Sequence, residues 1–144
     1  MRFYWGIVDR FSIQERSRIM ARVKGRDTAP ERIVRSLVHR LGFRFRLHVR
    51  SIHGTPDIVL PRHRKVIFVH GCFWHGHKRC PRSKRPTTRQ QFWNSKLDRN
   101  IERDEQIRKK LRRTGWKVLT AWECETRKPD KLLEKLEGFL RGDG

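Results

Sequence analysis

The chain has 144 residues, with 36 Lys and Arg against 15 Asp and Glu, a formal net charge of +21. Hydrophobic and charged residues each make up 35%, enough for one domain with a real core, and the excess positive charge selects a polyanion, in practice nucleic acid, as partner. No apolar run approaches the ~20 residues of a membrane span and no signal-peptide core opens the chain, while an odd count of three cysteines fits metal ligation in a reducing cytoplasm better than a disulfide framework.

Residues 1–8 (MRFYWGIV) form a short aromatic segment to which no function is assigned. Ser12 can cap a helix running to about Val23, with Ile13, Ile19, Met20 and Val23 on one face. Thr28-Ala29-Pro30-Glu31 has the form of a capping box, and Ile33, Val34, Leu37, Val38 and Leu41 recur at helical spacing up to Gly42. Phe43 to His48 alternates apolar and polar as a half-buried strand does. Asp57 opens a short apolar strand after Gly54-Thr55-Pro56, and Val66 to Val69 is a β-branched run fit for a central strand buried on both faces. A basic loop over 81–87 leads to a helix from about 88 to 113, with Phe92, Trp93, Leu97, Ile101, Ile107 and Leu111 as its stripe. A last strand spans 116–122, and Leu132, Leu133, Leu136 and Leu140 mark a closing amphipathic helix. Helices before and after a small strand cluster predict a three-layer α/β/α domain with a mixed central sheet.

The densest chemistry lies in His70 to Cys80, HGCFWHGHKRC. Cys72, His77 and Cys80, joined by Cys124 from the end of the last strand, make the Cys3His set of a structural zinc site. His75 competes with His77 for the fourth place, and a group of buried cysteines beside a surface histidine is the plainer alternative. Asp57 and His70 project from the ends of neighbouring strands, and with Glu31 they outline a hydrolytic magnesium site, because Mg2+ takes carboxylate oxygen, carbonyl oxygen and water. Glu31 can equally serve only the capping box, and Asp57 only a turn.

Phe73 and Trp74 stand in a tight loop where both rings can hardly be buried, so they are expected to stack on bases or wedge between base steps, with Trp93 beside Lys96 and Arg99 joining them. Trp116 and Trp122 read as core. Asp104, on the long helix, can accept from one nitrogen of His75 and raise the basicity of the other; a charge-laced helix face is the competing account.

HGCFWHGH, GTPDIVLP, DTAPE, RNIERD and GWKVLTAWEC together resemble the very short patch repair endonucleases. The likeness runs from about Asp9 to Leu140, leaving 1–8 as a variable segment ahead of a single endonuclease domain over 9–144. It implies a restriction-endonuclease-like core and a cut in one strand 5′ of the thymine in a T:G mismatch. It also implies Asp57 and the Val69 backbone carbonyl on Mg2+, with Glu31 and His70 acting through water. His75 becomes the general base and Asp104 its orienting partner. Cys72, His77, Cys80 and Cys124 become structural zinc ligands, Phe73, Trp74 and Trp93 intercalating rings, and Lys96 and Asn100 neighbours of the mispaired bases. The same resemblance implies a monomer on double-stranded DNA, in the cytoplasm at the bacterial nucleoid, alongside mismatch-repair proteins and without a membrane. Within the family, the segment between His77 and Cys80 is one residue longer here. Two other readings compete: a non-catalytic zinc protein that binds nucleic acid by charge and stacking, and a nuclease of the same fold with another mismatch or a methylated site as target.

Overall fold

The computed structural model describes residues 27–142; the helix expected over 12–23 and the segment 1–8 lie outside the described residues. Helix α1 (Ala29–Arg40) starts at Thr28, whose hydroxyl accepts from the Glu31 N–H at 3.4 Å. Pro30 occupies the first turn, where its missing N–H is harmless. The Glu31 carboxylate accepts in turn from the Asp27 N–H at 3.2 Å, so the box closes one residue earlier than expected.

Four strands, β1 (Arg46–Leu47), β2 (Ile58–Leu60), β3 (Lys65–His70) and β4 (Lys117–Trp122), form one sheet in that order. β1 with β2 and β2 with β3 are antiparallel, whereas β3 and β4 are parallel. A parallel pair needs a long crossover, and here it carries the His70–Cys80 segment and helix α2 (Gln90–Arg113). Helix α3 (Pro129–Arg141) closes the chain.

Alternation along the strands separates two packing faces. Ile58, Leu60, Ile67 and Ala121 gather with Val34, Leu37 and Val38 of α1 and with Leu132, Leu136 and Leu140 of α3. Val59, Val66 and Phe68 point the other way, toward Leu111 of α2. β3 is therefore buried on both faces, as its β-branched run predicts, and each aliphatic side chain so enclosed contributes about 1.5–3 kcal/mol.

Two elements differ from expectation. The alternating run Phe43 to His48 yields only a two-residue strand, because its partner β2 is three residues long and His48 turns into left-handed conformation at φ 47. Phe92 is 42% exposed while Trp93 is fully buried, since adjacent helical positions lie about 100° apart and cannot share a narrow apolar face. No helix among the described residues is long and apolar enough to cross a membrane.

The register determines where the site forms. Antiparallel pairing of Ile58 with Ile67 sets the start of β2 beside the end of β3. Leu47 pairs with Ile58, and His70 pairs with Trp122. Residues just after β1, just before β2 and just after β3 and β4 thus converge at one end of the sheet.

Candidate active site

Asp57 sits at that end, its Oδ2 accepting from the Val69 N–H at 2.7 Å. Burial pushes its carboxyl up to about 7; the Val69 bond opposes this, and the charge of Glu31 adds to it. Glu31, buried on α1, accepts from Arg35 at 3.1 Å as well as from the Asp27 amide. A carboxylate this short of positive charge gains when a divalent cation replaces its proton, so Asp57, flanked by the Val69 backbone, fits a hard metal ion.

The second group is assembled across the crossover. His70 ends β3 and is buried, and its ring stacks on that of His75 with centroids 3.7 Å apart and planes within 6°. His75 Nδ1 lies 2.6 Å from Asp104 Oδ2. That distance is a short charge-assisted hydrogen bond and leaves no room for an ion between the two atoms. The Asp104 contact holds the ring proton on Nδ1 and leaves Nε2 with its lone pair. Burial alone would raise the Asp104 carboxyl, but the His75 hydrogen bond, with the charges of His75 and Arg108, outweighs it and holds the group below the usual carboxylate range. Burial, then the neighbouring charge of His75, lowers His70 to about 3. His70 is therefore a neutral ring against which an imidazolium at position 75 meets no like charge. Its Nδ1 is buried with no hydrogen-bond partner among the described residues, an orphaned polar atom of the kind a water in a metal's shell satisfies.

Cys72, His77, Cys80 and Cys124 form the third group, with their ligand atoms all within 4.8 Å of one another. His77 Nδ1 is 3.5 Å from Cys124 Sγ, and the His77 ring stacks on Trp122 at 4.1 Å. His75, engaged with Asp104, is not in this group, so His77 takes the fourth place for which the two competed. Burial drives the Cys72 and Cys124 thiols up and the His77 imidazole down. The donor set fits a tetrahedral soft metal. Gly76 makes the intervening turn possible: it has φ 61, and a Cβ there would lie 2.4 Å from Ile101 of α2, so the loop sits directly on the helix that carries Asp104.

The aromatic residues require a correction. Phe73, Trp74 and Trp93, expected to be free for stacking on DNA, are 1%, 8% and 0% exposed. Their rings pack on one another, with Phe73 edge-on to Trp74 at 5.0 Å and to Trp93 at 5.5 Å. The tight loop folds back onto α2, which supplies the covering surface that the local sequence does not reveal. Asn100 is likewise buried, donating to the Trp74 carbonyl at 3.1 Å and accepting from Arg103 at 3.0 Å. Lys96 lies half-buried on the same helix. In this structure Phe73 is a core residue, and Phe73→Ala is expected to cost about 3–5 kcal/mol in urea unfolding; a loss below about 1 kcal/mol would mean the ring is not packed as described.

His48 and Arg35 are functional candidates that sequence reasoning passes over. Arg35 bridges Asp27 at 2.6 Å and Glu31 at 3.1 Å, and the His48 ring lies between Glu31 and Asp57. Nothing in the alternating run up to His48 marks it, because its direction depends on the local left-handed backbone.

A family model for the DNA mismatch endonuclease Vsr matches residues 8–82. The chain is 42% identical over 134 residues to the type II nicking enzyme V.XorIIP of Xanthomonas oryzae pv. oryzae, covering 93% of this chain and 98% of that one. It is also 42% identical over 134 residues to the DNA mismatch endonuclease Vsr of Escherichia coli K12, covering 90% and 85%. Among solved structures, the catalytic domain of homing endonuclease I-Bth0305I is similar with a TM-score of 0.56 at 21% identity, over 78% of this chain and 94% of that one, a likeness of fold alone. With relatives this similar along most of its length, the chain belongs to the DNA mismatch endonuclease Vsr family and is a DNA-nicking endonuclease.

Proposed function

We propose that this endonuclease depends on Mg2+ and nicks one strand 5′ of the thymine in a T:G mismatch, on a restriction-endonuclease-like α/β/α core stabilised by zinc. The observation that carries this reading is the 2.6 Å bond between His75 and Asp104 beside the neutral His70 ring, at the sheet end where Asp57 lies.

In this reading Asp57 and the Val69 carbonyl hold the magnesium, and Glu31 and His70 flank it. A bound Mg2+ supplies Lewis-acid polarisation of the scissile phosphate and stabilises the leaving oxygen. His75 Nε2 takes the proton of the attacking water. Asp104 keeps the Nδ1 proton in place and stabilises the imidazolium as it forms. His70 stays uncharged throughout and so adds no like charge beside the forming imidazolium. Cys72, His77, Cys80 and Cys124 bind zinc and tie the loop bearing His75 to the end of β4. The buried Phe73, Trp74 and Trp93 cluster supports that loop from beneath. Its entry into DNA would require opening of the cluster on the duplex, with Lys96 and Asn100 released toward the bases.

End-labelled duplexes carrying one T:G pair, each other mismatch, or none are the test, with and without MgCl2. A single nick 5′ of the T, requiring Mg2+ and absent from matched DNA, is the expected result. Equal cutting of matched duplex, or cutting undiminished in EDTA, would exclude the reading. The relatives named as type II nicking enzymes favour a second possibility, the same reaction in a different sequence context, which the same assay with varied flanking bases separates.

A further inference from the structure

His48 is a half-buried titratable residue that the reaction above leaves unused, and its ring lies between the two carboxylates of the proposed magnesium site. Its side chain is 11% exposed, with Nε2 at 3.4 Å from Glu31 Oε2 and Nδ1 at 3.9 Å from Asp57 Oδ1. The second distance is too long for a direct hydrogen bond and makes a charge–dipole contact. Arg35 Nη2 sits 3.2 Å from the same Nε2 and 3.1 Å from Glu31 Oε2. A guanidinium can only donate, so Nε2 accepts and the ring proton lies on Nδ1, facing Asp57.

The backbone at this position is informative too. His48 has φ 47, a left-handed conformation that a residue with a Cβ adopts only against steric resistance. Its N–H nevertheless bonds to the Asp57 carbonyl at 3.4 Å, which pins the end of β1 to the start of β2. Glycine or asparagine would satisfy that turn with less strain. An imidazole set by this left-handed turn between two acidic groups is placed for a task at the site.

We propose that His48 is a positioning residue that, through the Arg35 guanidinium it shares with Glu31 and through its Nδ1–H facing Asp57, holds the Glu31 carboxylate of α1 and the Asp57 carboxylate just before β2 in the relation a divalent cation requires. The two carboxylates come from separate elements and repel each other; one ring, joined to Glu31 through Arg35 and facing Asp57, couples their positions. This rests on the magnesium reading above.

The test compares full-length wild type with His48→Gly and His48→Gln. Three quantities are measured: melting temperature against MgCl2 without DNA, MgCl2 needed for half-maximal nicking of a T:G duplex, and duplex affinity in EDTA. His48→Gly is expected to melt no lower than wild type in EDTA, because the left-handed turn relaxes. It should need about 10–100-fold more MgCl2 in both the melting and the nicking titrations, as loss of a group orienting metal-binding carboxylates typically demands, with DNA affinity unchanged. His48→Gln, which keeps a donor at similar reach, should recover most of the wild-type response. Unaltered MgCl2 dependence in His48→Gly would overturn the proposal. A loss of DNA affinity instead would make His48 a DNA contact, and a His48→Gly chain that fails to fold would make it structural; either also overturns it. If wild type itself neither melts higher with MgCl2 nor nicks, the magnesium reading fails and His48 with it. If wild type responds and His48→Gly follows it, only the role of His48 is lost.

Discussion

His75→Ala is expected to lower the single-turnover nicking rate by about 10²–10⁴-fold at saturating MgCl2, the range typical of a lost general base. The expectation comes from the short bond between His75 Nδ1 and Asp104 Oδ2, which leaves Nε2 as the one ring atom able to take a proton. Binding should change little, since the basic surface of a +21 chain supplies its phosphate contacts. Asp104→Asn should act in the same direction: the amide preserves shape but removes the charge that stabilises an imidazolium, and its NH2 can force the wrong tautomer. Because His75 stacks on His70, melting of each variant distinguishes lost chemistry from a disturbed loop. A folded His75→Ala protein that nicks within about tenfold of wild type would remove His75 from the base role.

Cys124→Ser is expected to cost at least about 3 kcal/mol and to lower the melting temperature by roughly 10 °C, with loss of bound zinc. The size follows from topology. Cys72, His77 and Cys80 belong to one loop in the crossover, whereas Cys124 lies just beyond β4 in the turn Glu123–Arg127. Removing Cys124 uncouples that loop from the sheet and leaves the buried Cys72 thiol, which burial pushes up, without its partner. A strong chelator should reproduce the effect on wild type. The outcome that would exclude a structural metal at these four residues is a Cys124→Ser protein with full zinc content and unchanged melting. His75 would then be at risk as well, because the same loop presents it.

Legibility in the sequence varies with the kind of residue. Thr28 and Pro30 were readable as a helix start, since capping depends on neighbours within a turn. The β-branched run in β3 was readable as a doubly covered strand for a similar reason: a strand polar on neither face must be buried on both. Asp57 and His70 could be placed near each other from their positions at strand ends, and the antiparallel register of β2 and β3 brings those ends together. Arg35 and His48 were not readable. One is an arginine on a helix rich in charge and the other closes an alternating run; Arg35 meets Glu31 by i,i+4 spacing, but only the left-handed turn at His48 brings that ring to Arg35, Glu31 and Asp57.

By itself, then, the sequence determined the partner class, the central strand and the family, because these follow from charge, short-range periodicity and a contiguous motif. The tertiary structure decided which histidine joins the cysteines and which joins Asp104, how short β1 is, and that Phe73, Trp74 and Trp93 are buried against each other. The reason is physical. A side chain's exposure and partners depend on surfaces that arrive from distant parts of the chain, here α2 folding over the loop after β3, and no local pattern in HGCFWHGHKRC encodes that arrival.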